Sequence, residues 1–423
     1  MKKIALLLVI VIFLSTMLTS CSMLPDERMR EIYDFIGGGR KYSQGLVYVL
    51  NKSGDGYSVV KGRCDDYNVR IRPTFKGLPV TAIGTCAFIN YEKLISVSIP
   101  DSVITIGRSA FENCISLTYV NIPNSVITIE AYAFYACSNL TRVSISDSVK
   151  SIGTWSFRDC ERLGTVHLGK GITSIGDQAF KNCKSLSNIT IPDSVTSIGD
   201  SAFFNCSNLR NISIPSSILS IGDFTFNFCS LKYNEYDNGY YLGNDENPYV
   251  VLVEAQEDVS SFKTNDNTRF IYTSAFSNCK ATEITIGNSI TSISKGAFFG
   301  CNNLTSINVG DNNLYYKTID GNLYSKDGKA LVQYALGKKD ESFYIPESVT
   351  SIDSDAFRSC KNIQSVTIPD SVTLIGNSAF SYCSSLTMIN YRGTEAQWNS
   401  ITKDSDWDYS TGNYTVIFNY TGE

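Results

Sequence analysis

Cysteine and histidine are the residues of this chain whose spacing can be tested most directly against known chemistries. The 423 residues include thirteen cysteines and a single histidine, His167. One histidine is too few for most hydrolytic and metal chemistries, and no Cys-x-x-Cys pair with zinc spacing occurs. A nucleophilic cysteine needs a base within hydrogen-bond reach, whereas the neighbouring Cys160 is expected to be buried. We therefore expect no catalytic residue, no metal and no cofactor, and interpret the protein as a non-enzyme.

Most of the cysteines share one position in a repeating pattern. These are Cys114, Cys137, Cys160, Cys183, Cys206, Cys229, Cys279, Cys301, Cys360 and Cys383. In an exported protein they could form disulfides or a metal ladder. The alternative, which we favour, is a stack of small buried side chains, because a fixed position in every unit indicates a packing demand. Cys64 and Cys86 lie outside this series and could pair with each other.

An acidic stretch near the C-terminus begins like a calcium-binding loop. Asp404, Asp406 and Asp408 have the alternate spacing of the first three ligand positions. Tyr409 stands where the loop needs its turn glycine, and Thr415 stands where it needs the bidentate glutamate. These two departures argue against calcium.

The N-terminus has the features of an export signal. Lys2 and Lys3 precede an apolar run, 4–14, which is shorter than the ~20 residues of a membrane span. The following Leu18-Thr19-Ser20-Cys21 resembles the bacterial lipobox, in which the cysteine becomes lipidated and N-terminal after cleavage. An ordinary signal peptide with a nearby cysteine is the alternative. We expect a protein anchored by lipid at Cys21 to the extracytoplasmic side of the cell membrane, at the cell surface, because several acyl chains hold a protein stably.

The elements that position these residues repeat every 23 residues. The series runs through Phe88, Phe111, Phe134, Phe157, Phe180, Phe203, Phe226, Phe276, Phe298, Phe357 and Phe380. Near-constant spacing over so many copies is the signature of a solenoid. The two longer intervals, after Phe226 and after Phe298, each indicate one altered repeat.

One unit explains how the pattern folds. In a strand, Ile189 points inward while the next residue, Thr190, points outward. Pro192 then ends the strand because it lacks the N–H of a continuing ladder. Asp200 can cap a short helical turn that carries Phe203. Stacking such units converts their apolar positions into a continuous core that no single unit could form.

The unit Leu-x-x-Val-x-Ile-Pro-x-Ser-Val-x-x-Ile-Gly-x-x-Ala-Phe-x-x-Cys resembles the BspA-like surface leucine-rich repeat family, over about 69–391. Gly77-Leu78-Pro79-Val80 and the segment 391–398 resemble that family's flanking segments. The resemblance implies an α/β repeat solenoid that is mostly β: a leucine-rich repeat horseshoe with a parallel sheet on its concave side and short helical turns on its convex side. It also implies display at a bacterial surface for adhesion or ligand binding.

The sequence divides into four segments. We predict a lipoprotein signal peptide at 1–20, a lipid-anchored tether at 21–45, the solenoid at 46–391 and a C-terminal cap at 392–423. Two insertions interrupt the solenoid at about 233–261 and 311–342, and both have the strand and turn pattern of hairpins.

Tyrosines in the insertions form one candidate binding surface. Tyr240, Tyr241, Tyr315 and Tyr316 offer large contact area at low entropic cost. The alternative is that these rings only cover the flank of the solenoid where a repeat is missing.

The outward side of the strands forms a second candidate surface. Its side chains are polar and almost uncharged, and Tyr119, Arg142 and His167 are its most distinctive members. Such a surface suits a glycan or an extended polypeptide, and it would look the same if it were only solvated. Net charge −5 without a Lys/Arg-rich run argues against a nucleic-acid partner. We therefore expect recognition of an extracellular protein or glycan ligand; the alternative is a non-enzymatic envelope scaffold or spacer.

Overall fold

The computed structural model describes residues 42–422, so Cys21 and its lipobox lie outside the described residues. The chain forms two compact units, which divide between Lys232 and Tyr233. Each unit is a β-solenoid, and the only α-helix within 42–422 is Glu395–Ser400. The solenoid predicted from the 23-residue period and the leucine-rich repeat fold implied by the family resemblance are confirmed.

Each turn of the first unit contains three segments. A three-residue strand such as Asn188–Thr190 buries its central residue, and a two-residue strand such as Ser197–Ile198 buries its second. A third segment then carries Phe203 and Cys206, both with 0% of the side chain exposed. We call the three stacks of such segments the strand ladder, the corner ladder and the turn ladder.

The strand ladder of the first unit is parallel and in register. Arg142 pairs with Tyr119 on one side and with Thr165 on the other, so residues 23 apart lie side by side. A five-stranded and a two-stranded sheet make up this ladder: Asn68–Arg70, Ser96–Ser98, Tyr119–Asn121, Arg142–Ser144 and Thr165–His167, then Asn188–Thr190 and Asn211–Ser213.

The corner ladder of the first unit is one sheet that begins with an antiparallel hairpin. Val47–Leu50 and Tyr57–Val60 form the hairpin, and the second of these strands pairs in parallel with Leu78–Ile83, which also pairs with Thr74–Phe75. The two-residue strands follow: Thr105–Ile106, Thr128–Ile129, Ser151–Ile152, Ser174–Ile175, Ser197–Ile198 and Ser220–Ile221. The hairpin covers the first edge of the sheet, which would otherwise present unpaired backbone groups.

The turn ladder differs from the short helical turns that we expected. It is a run of consecutive turns in which two residues per repeat adopt positive φ, for example Tyr132 at +62° and Ala136 at +56°. Alternate amides of this segment donate to the next repeat, as the Phe111 amide does to the Ala133 carbonyl at 2.7 Å, and the amides between them donate within the segment, as Ala110 does to Gly107. A helix would direct all of these bonds within the segment, whereas this conformation extends the lateral bonding of the strands to a third side.

The phenylalanine series stacks along the inside of the turn ladder. Ring centroids of Phe134 and Phe157 lie 5.1 Å apart with planes 6° from parallel, and those of Phe157 and Phe180 lie 5.4 Å apart. Each ring is fully buried. One continuous aromatic column therefore runs through the core of the first unit.

The second unit begins with an antiparallel meander in place of a regular turn. Its strands are Asn234–Tyr236, Gly239–Leu242 and Val251–Ala255, and the corner strands Phe270–Ile271 and Ser292–Ile293 continue from the last one in parallel. Asp237 and Asn238, both at positive φ, make the first tight turn. The accompanying strand ladder contains Ser261–Lys263, Glu283–Ile286 and Ser306–Val309.

A second meander of the same kind follows. It contains Tyr316–Ile319, Asn322–Ser325 and Ala330–Gln333, and it continues in parallel through Ser351–Ile352, Leu374–Ile375 and Thr402–Lys403. The last strand ladder is Ser342–Tyr344, Ser365–Ile368, Met388–Tyr391 and Thr415–Ile417. Tyr334 takes a phenylalanine position here, because its ring stacks on Phe357 at 5.3 Å.

The cysteine series is buried and unpaired in disulfides, as we favoured from the sequence. Each thiol of the first unit also donates to the backbone carbonyl of a phenylalanine in the preceding turn, as Cys137 does to Phe111 at 3.1 Å. Cys64 is a buried free thiol, so it does not pair with Cys86. Cys229, at the end of the first unit, is the ladder cysteine that is only half-buried.

Candidate functional site

The strand face of the first unit consists of the outward side chains of its three-residue strands. Parallel pairing in register arranges these side chains in two columns. The first column contains Asn68, Ser96, Tyr119, Arg142, Thr165, Asn188 and Asn211; the second contains Arg70, Ser98, Asn121, Ser144, His167, Thr190 and Ser213. Small uncharged polar groups dominate both columns.

Tyr119 and Arg142 are in direct contact in the first column. The guanidinium carbon of Arg142 lies 4.6 Å from the centroid of the Tyr119 ring, within the range of a cation–π interaction. Tyr119 is 37% exposed and Arg142 is also exposed. The pair therefore presents an aromatic surface and a positioned cation to solvent.

His167 lies in the other column. Its strand partner is Ser144, and one strand, Arg142–Ser144, lies between the strand of His167 and that of Tyr119. The imidazole is exposed, whereas Cys160 is fully buried and its thiol donates to the Phe134 carbonyl at 3.2 Å. Burial raises the pKa of the Cys160 thiol, so the arrangement does not resemble an activated Cys–His pair.

A polar cleft of about 630 Å³ opens beside the middle of the second column, where the three-residue strands end. The column residues Asn121 and Ser144 line it. The other lining residues belong to the loops that lead from the three-residue strands to the corner ladder, and we call them the corner residues: Asp101, Ile122, Pro123, Asn124, Ser125 and Ser146. Sequence reasoning missed the corner residues. The Pro-x-Ser element after each strand was the available signal, because in-register stacking brings the corners of successive turns together.

The four tyrosines expected at the insertions do not form one exposed surface. Tyr315 is 51% exposed, and Tyr240 is half-buried. Tyr316 is half-buried, and its hydroxyl accepts a hydrogen bond from the Ile293 amide at 3.2 Å. Tyr241 is fully buried, and burial raises its pKa to about 12. The expectation that Tyr241 offers contact area to a ligand is wrong, because its ring fills the core where the meander replaces a regular turn.

The C-terminal aspartates serve local contacts. The Tyr414 hydroxyl donates to Asp408, and the Asp406 carbonyl accepts from the Ser381 hydroxyl. Among residues 42–422, no group of three or more histidine, cysteine or acidic side chains is placed to hold a metal ion. Over the same residues, no helix has the length and apolar character to cross a membrane.

The chain belongs to the family described as BspA type leucine rich repeat region (6 copies). The family matches residues 76–187, 127–244, 255–328 and 334–405, which together cover most of both units. The match spans the strand, corner and turn segments defined above.

Solved structures of leucine-rich repeat proteins from bacteria are similar to this chain. A leucine rich cell surface protein from Faecalibacterium prausnitzii is 27% identical, with 86% of this chain and 97% of that chain covered and a TM-score of 0.41. A leucine-rich repeat protein from Bacteroides ovatus is 22% identical, with 91% and 100% covered and a TM-score of 0.43. No curated protein sequence matches this chain.

Proposed function

We propose that this protein is a non-enzymatic recognition protein that binds an extracellular protein or glycan through the strand face of its first unit. The observation that carries the proposal is the Tyr119–Arg142 pair on a face that leads into a polar cleft. An aromatic ring and an arginine are the side chains most often found to dominate binding energy.

The chemistry of the surrounding face supports an uncharged or weakly charged polar ligand. Asn121 and Ser144 offer hydroxyl and amide groups that both donate and accept hydrogen bonds. Phospholipid or nucleic acid would require a cluster of lysine and arginine, and Arg142 is the one cation among the central positions 119–167 of the two columns.

The location that we propose is the outer side of the cell membrane, with a lipid on Cys21 as the anchor. Support comes from the charged start, the short apolar run and the lipobox-like segment. A membrane-tethered solenoid would hold the strand face in the extracytoplasmic space, where protein and glycan ligands occur.

A binding screen tests the proposal. The mature chain with Cys21→Ser would be titrated against matrix proteins, mucins and envelope glycans, first as the otherwise unchanged protein. We expect a saturable ligand whose affinity falls about tenfold or more in Tyr119→Ala and Arg142→Ala, because truncating a central aromatic or arginine removes a dominant contact. Asn211→Ala is the matched control, since it changes the same column three strands farther along the chain.

Two results would argue against the strand face. If Tyr119→Ala and Arg142→Ala bind as tightly as Asn211→Ala, the ligand site lies elsewhere on the molecule. If nothing in the screen binds saturably, the protein is better described as an envelope scaffold or spacer.

A further inference from the structure

Three aromatic residues form a cluster on the outer surface of the turn ladder, a different side of the first unit from the strand face. The Tyr132 and Trp155 ring centroids lie 5.1 Å apart, and Tyr135 lies 6.0 Å from Tyr132 and 6.1 Å from Trp155. All three side chains are half-buried. The rings are tilted against each other and span two neighbouring turns, which gives a broad, uneven aromatic surface.

Two of these aromatics occupy a backbone position that disfavours bulky side chains. Tyr132 and Trp155 both have φ of +62°, in the left-handed region. Ser109 and Ser201 take the equivalent position in other turns of the same unit, at +54° and +53°. The fold therefore accepts serine here and does not require a large ring. Positive φ belongs to the turn ladder as a whole, and the large rings distinguish these two turns from the turns that carry serine.

A hydrogen-bonded set of planar polar groups borders the rings. The Arg158 guanidinium carbon lies 3.8 Å from the Trp155 ring centroid, and Nη1 donates to Gln178 Oε1 at 2.7 Å. Nε of Arg158 lies 3.3 Å from a carboxylate oxygen of Asp159, and the Asn182 amide donates to the other oxygen of that carboxylate. These contacts hold guanidinium, carboxylate and amide groups in fixed positions beside the aromatic surface.

The charges in this set balance each other. Arg158 is paired with Asp159, while Gln178 and Asn182 are neutral. A second cation, Arg108, lies 4.9 Å from the centroid of the Tyr132 ring, and the Glu130 carboxylate, which accepts from the Arg108 backbone amide, supplies a matching negative charge. The set thus offers both donors and acceptors without a net charge. A ligand bearing carboxylate or sulfate groups would gain little here, whereas an uncharged ligand rich in hydroxyls would find partners for both its O–H groups and its oxygens.

We propose that this cluster, centred on Trp155, is a binding site for a neutral glycan. A pyranose ring has an apolar C–H face, which can lie on an aromatic ring, and an edge of hydroxyls, which needs planar partners of both hydrogen-bonding kinds. The C–H face can lie on the rings of Tyr132, Tyr135 and Trp155. The hydroxyls can bond to the polar groups of Arg158, Asp159 and Gln178. This site is independent of the strand face, so either can fail without the other.

The test uses calorimetric titration of the mature chain carrying Cys21→Ser. Hexasaccharides of β-1,4-linked glucose, α-1,4-linked glucose and mannose are the neutral probes, and an oligogalacturonate and a sialylated trisaccharide are the charged counterparts. We expect saturable binding of at least one neutral probe that changes little with salt, because screening acts on charges. The charged counterparts should bind more weakly.

The variants Trp155→Ser and Tyr132→Ser remove a ring and install the residue that other turns of the same unit, at Ser109 and Ser201, carry at this position, so the fold should be retained. Each variant should lower the affinity for the neutral probe about tenfold or more. Phe224→Ser is the matched control, because Phe224 occupies the same repeat position three turns beyond Trp155. Its φ is also positive, at +57°, and its side chain is 48% exposed. This control should bind like the unchanged protein, and thermal unfolding should show the variants equally folded.

Several results would overturn the proposal. These are no saturable binding of a neutral probe, tighter binding of the charged probes, unchanged affinity in Trp155→Ser, or an equal loss in Phe224→Ser. The proposal would also be overturned if Tyr119→Ala lost binding of the neutral glycan while Trp155→Ser kept it. That result would instead place the glycan on the strand face.

Discussion

At the scale of single residues, the ladder cysteines show how one side chain meets two needs. Each thiol is small enough for the closely stacked core, and in the first unit each ladder thiol donates to a phenylalanine carbonyl in the preceding turn, as Cys160 does to Phe134. An alanine would fill part of the space but would not donate. Burial also explains how free thiols persist in a protein expected outside the cytoplasm, since the reactive species is the thiolate.

Burial of these thiols should make the protein sensitive to alkaline pH. It raises the pKa of Cys114 to about 12 and that of Cys137 well above its ordinary value of 9.0. Above about pH 9 the unfolded chain releases thiol protons that the folded chain keeps. The free energy of unfolding therefore has its full value below that pH and decreases above it. Urea unfolding at neutral pH and at about pH 10 should show the loss.

Tyrosines with raised pKa, such as Tyr324, act in the same direction at higher pH. The double variant Cys137→Ala, Cys160→Ala separates the two contributions, since it should show a smaller loss between the two pH values. An identical urea midpoint at both pH values for the unchanged protein would contradict the expectation.

At the scale of the repeat element, the junction between the two-residue strand and the turn segment is tightly packed. A Cβ on Gly199 would lie 2.6 Å from the backbone nitrogen of Asp177 in the preceding turn. The same close approach occurs at Gly176 and Gly222. Glycine is needed at this junction because the short distance between stacked turns leaves no room for a Cβ. A positive φ is not the reason.

Gly199→Ala should lower the free energy of unfolding by about 1–3 kcal/mol, because backbone atoms of the neighbouring turn must move. Gly164→Ala is the control, since the nearest heavy atom to its Cβ would be 3.6 Å away. That variant should be as stable as the unchanged protein or slightly more stable, because alanine restricts the unfolded chain. Equal urea midpoints for the two variants would refute the packing argument.

At the scale of the whole molecule, each unit depends on protected ends. The hairpin Val47–Leu50 with Tyr57–Val60 covers the first edge of the corner ladder. At the C-terminal end, Thr415–Ile417 pairs with Met388–Tyr391, and the Phe380 amide donates to the Trp407 carbonyl at 2.7 Å. Repeat proteins need such altered end segments, because a regular final turn would expose its core.

The N-terminal lipid is a prediction at this scale. Cys21→Ala should abolish incorporation of labelled palmitate and move the protein from the membrane fraction to the soluble fraction of expressing cells. Cys64→Ala is the control, and it should keep both the label and the membrane location. Labelling that survives in Cys21→Ala would eliminate the lipoprotein proposal.

The sequence by itself determined the solenoid, the inward residues and the buried state of the ladder cysteines. The physical reason is that strand alternation and a 23-residue period decide which side chains face the core, and both can be read along the chain. Val143, Phe157 and Cys160, for example, occupy the buried positions that their spacing predicted.

Only the tertiary structure decided which outward residues meet. The contact of Arg142 with Tyr119 depends on exact lateral register, and the cleft beside Ser144 depends on how successive corners stack. The first left-handed position of each turn carries no sequence signature, since Ser109, Tyr132 and Trp155 all occupy it, whereas the second is, in the first unit, mostly asparagine or aspartate, as at Asn113 and Asp159. Burial of Tyr241 was hidden for a related reason: a meander breaks the period, and outside the period local sequence does not fix which side of a strand faces the core.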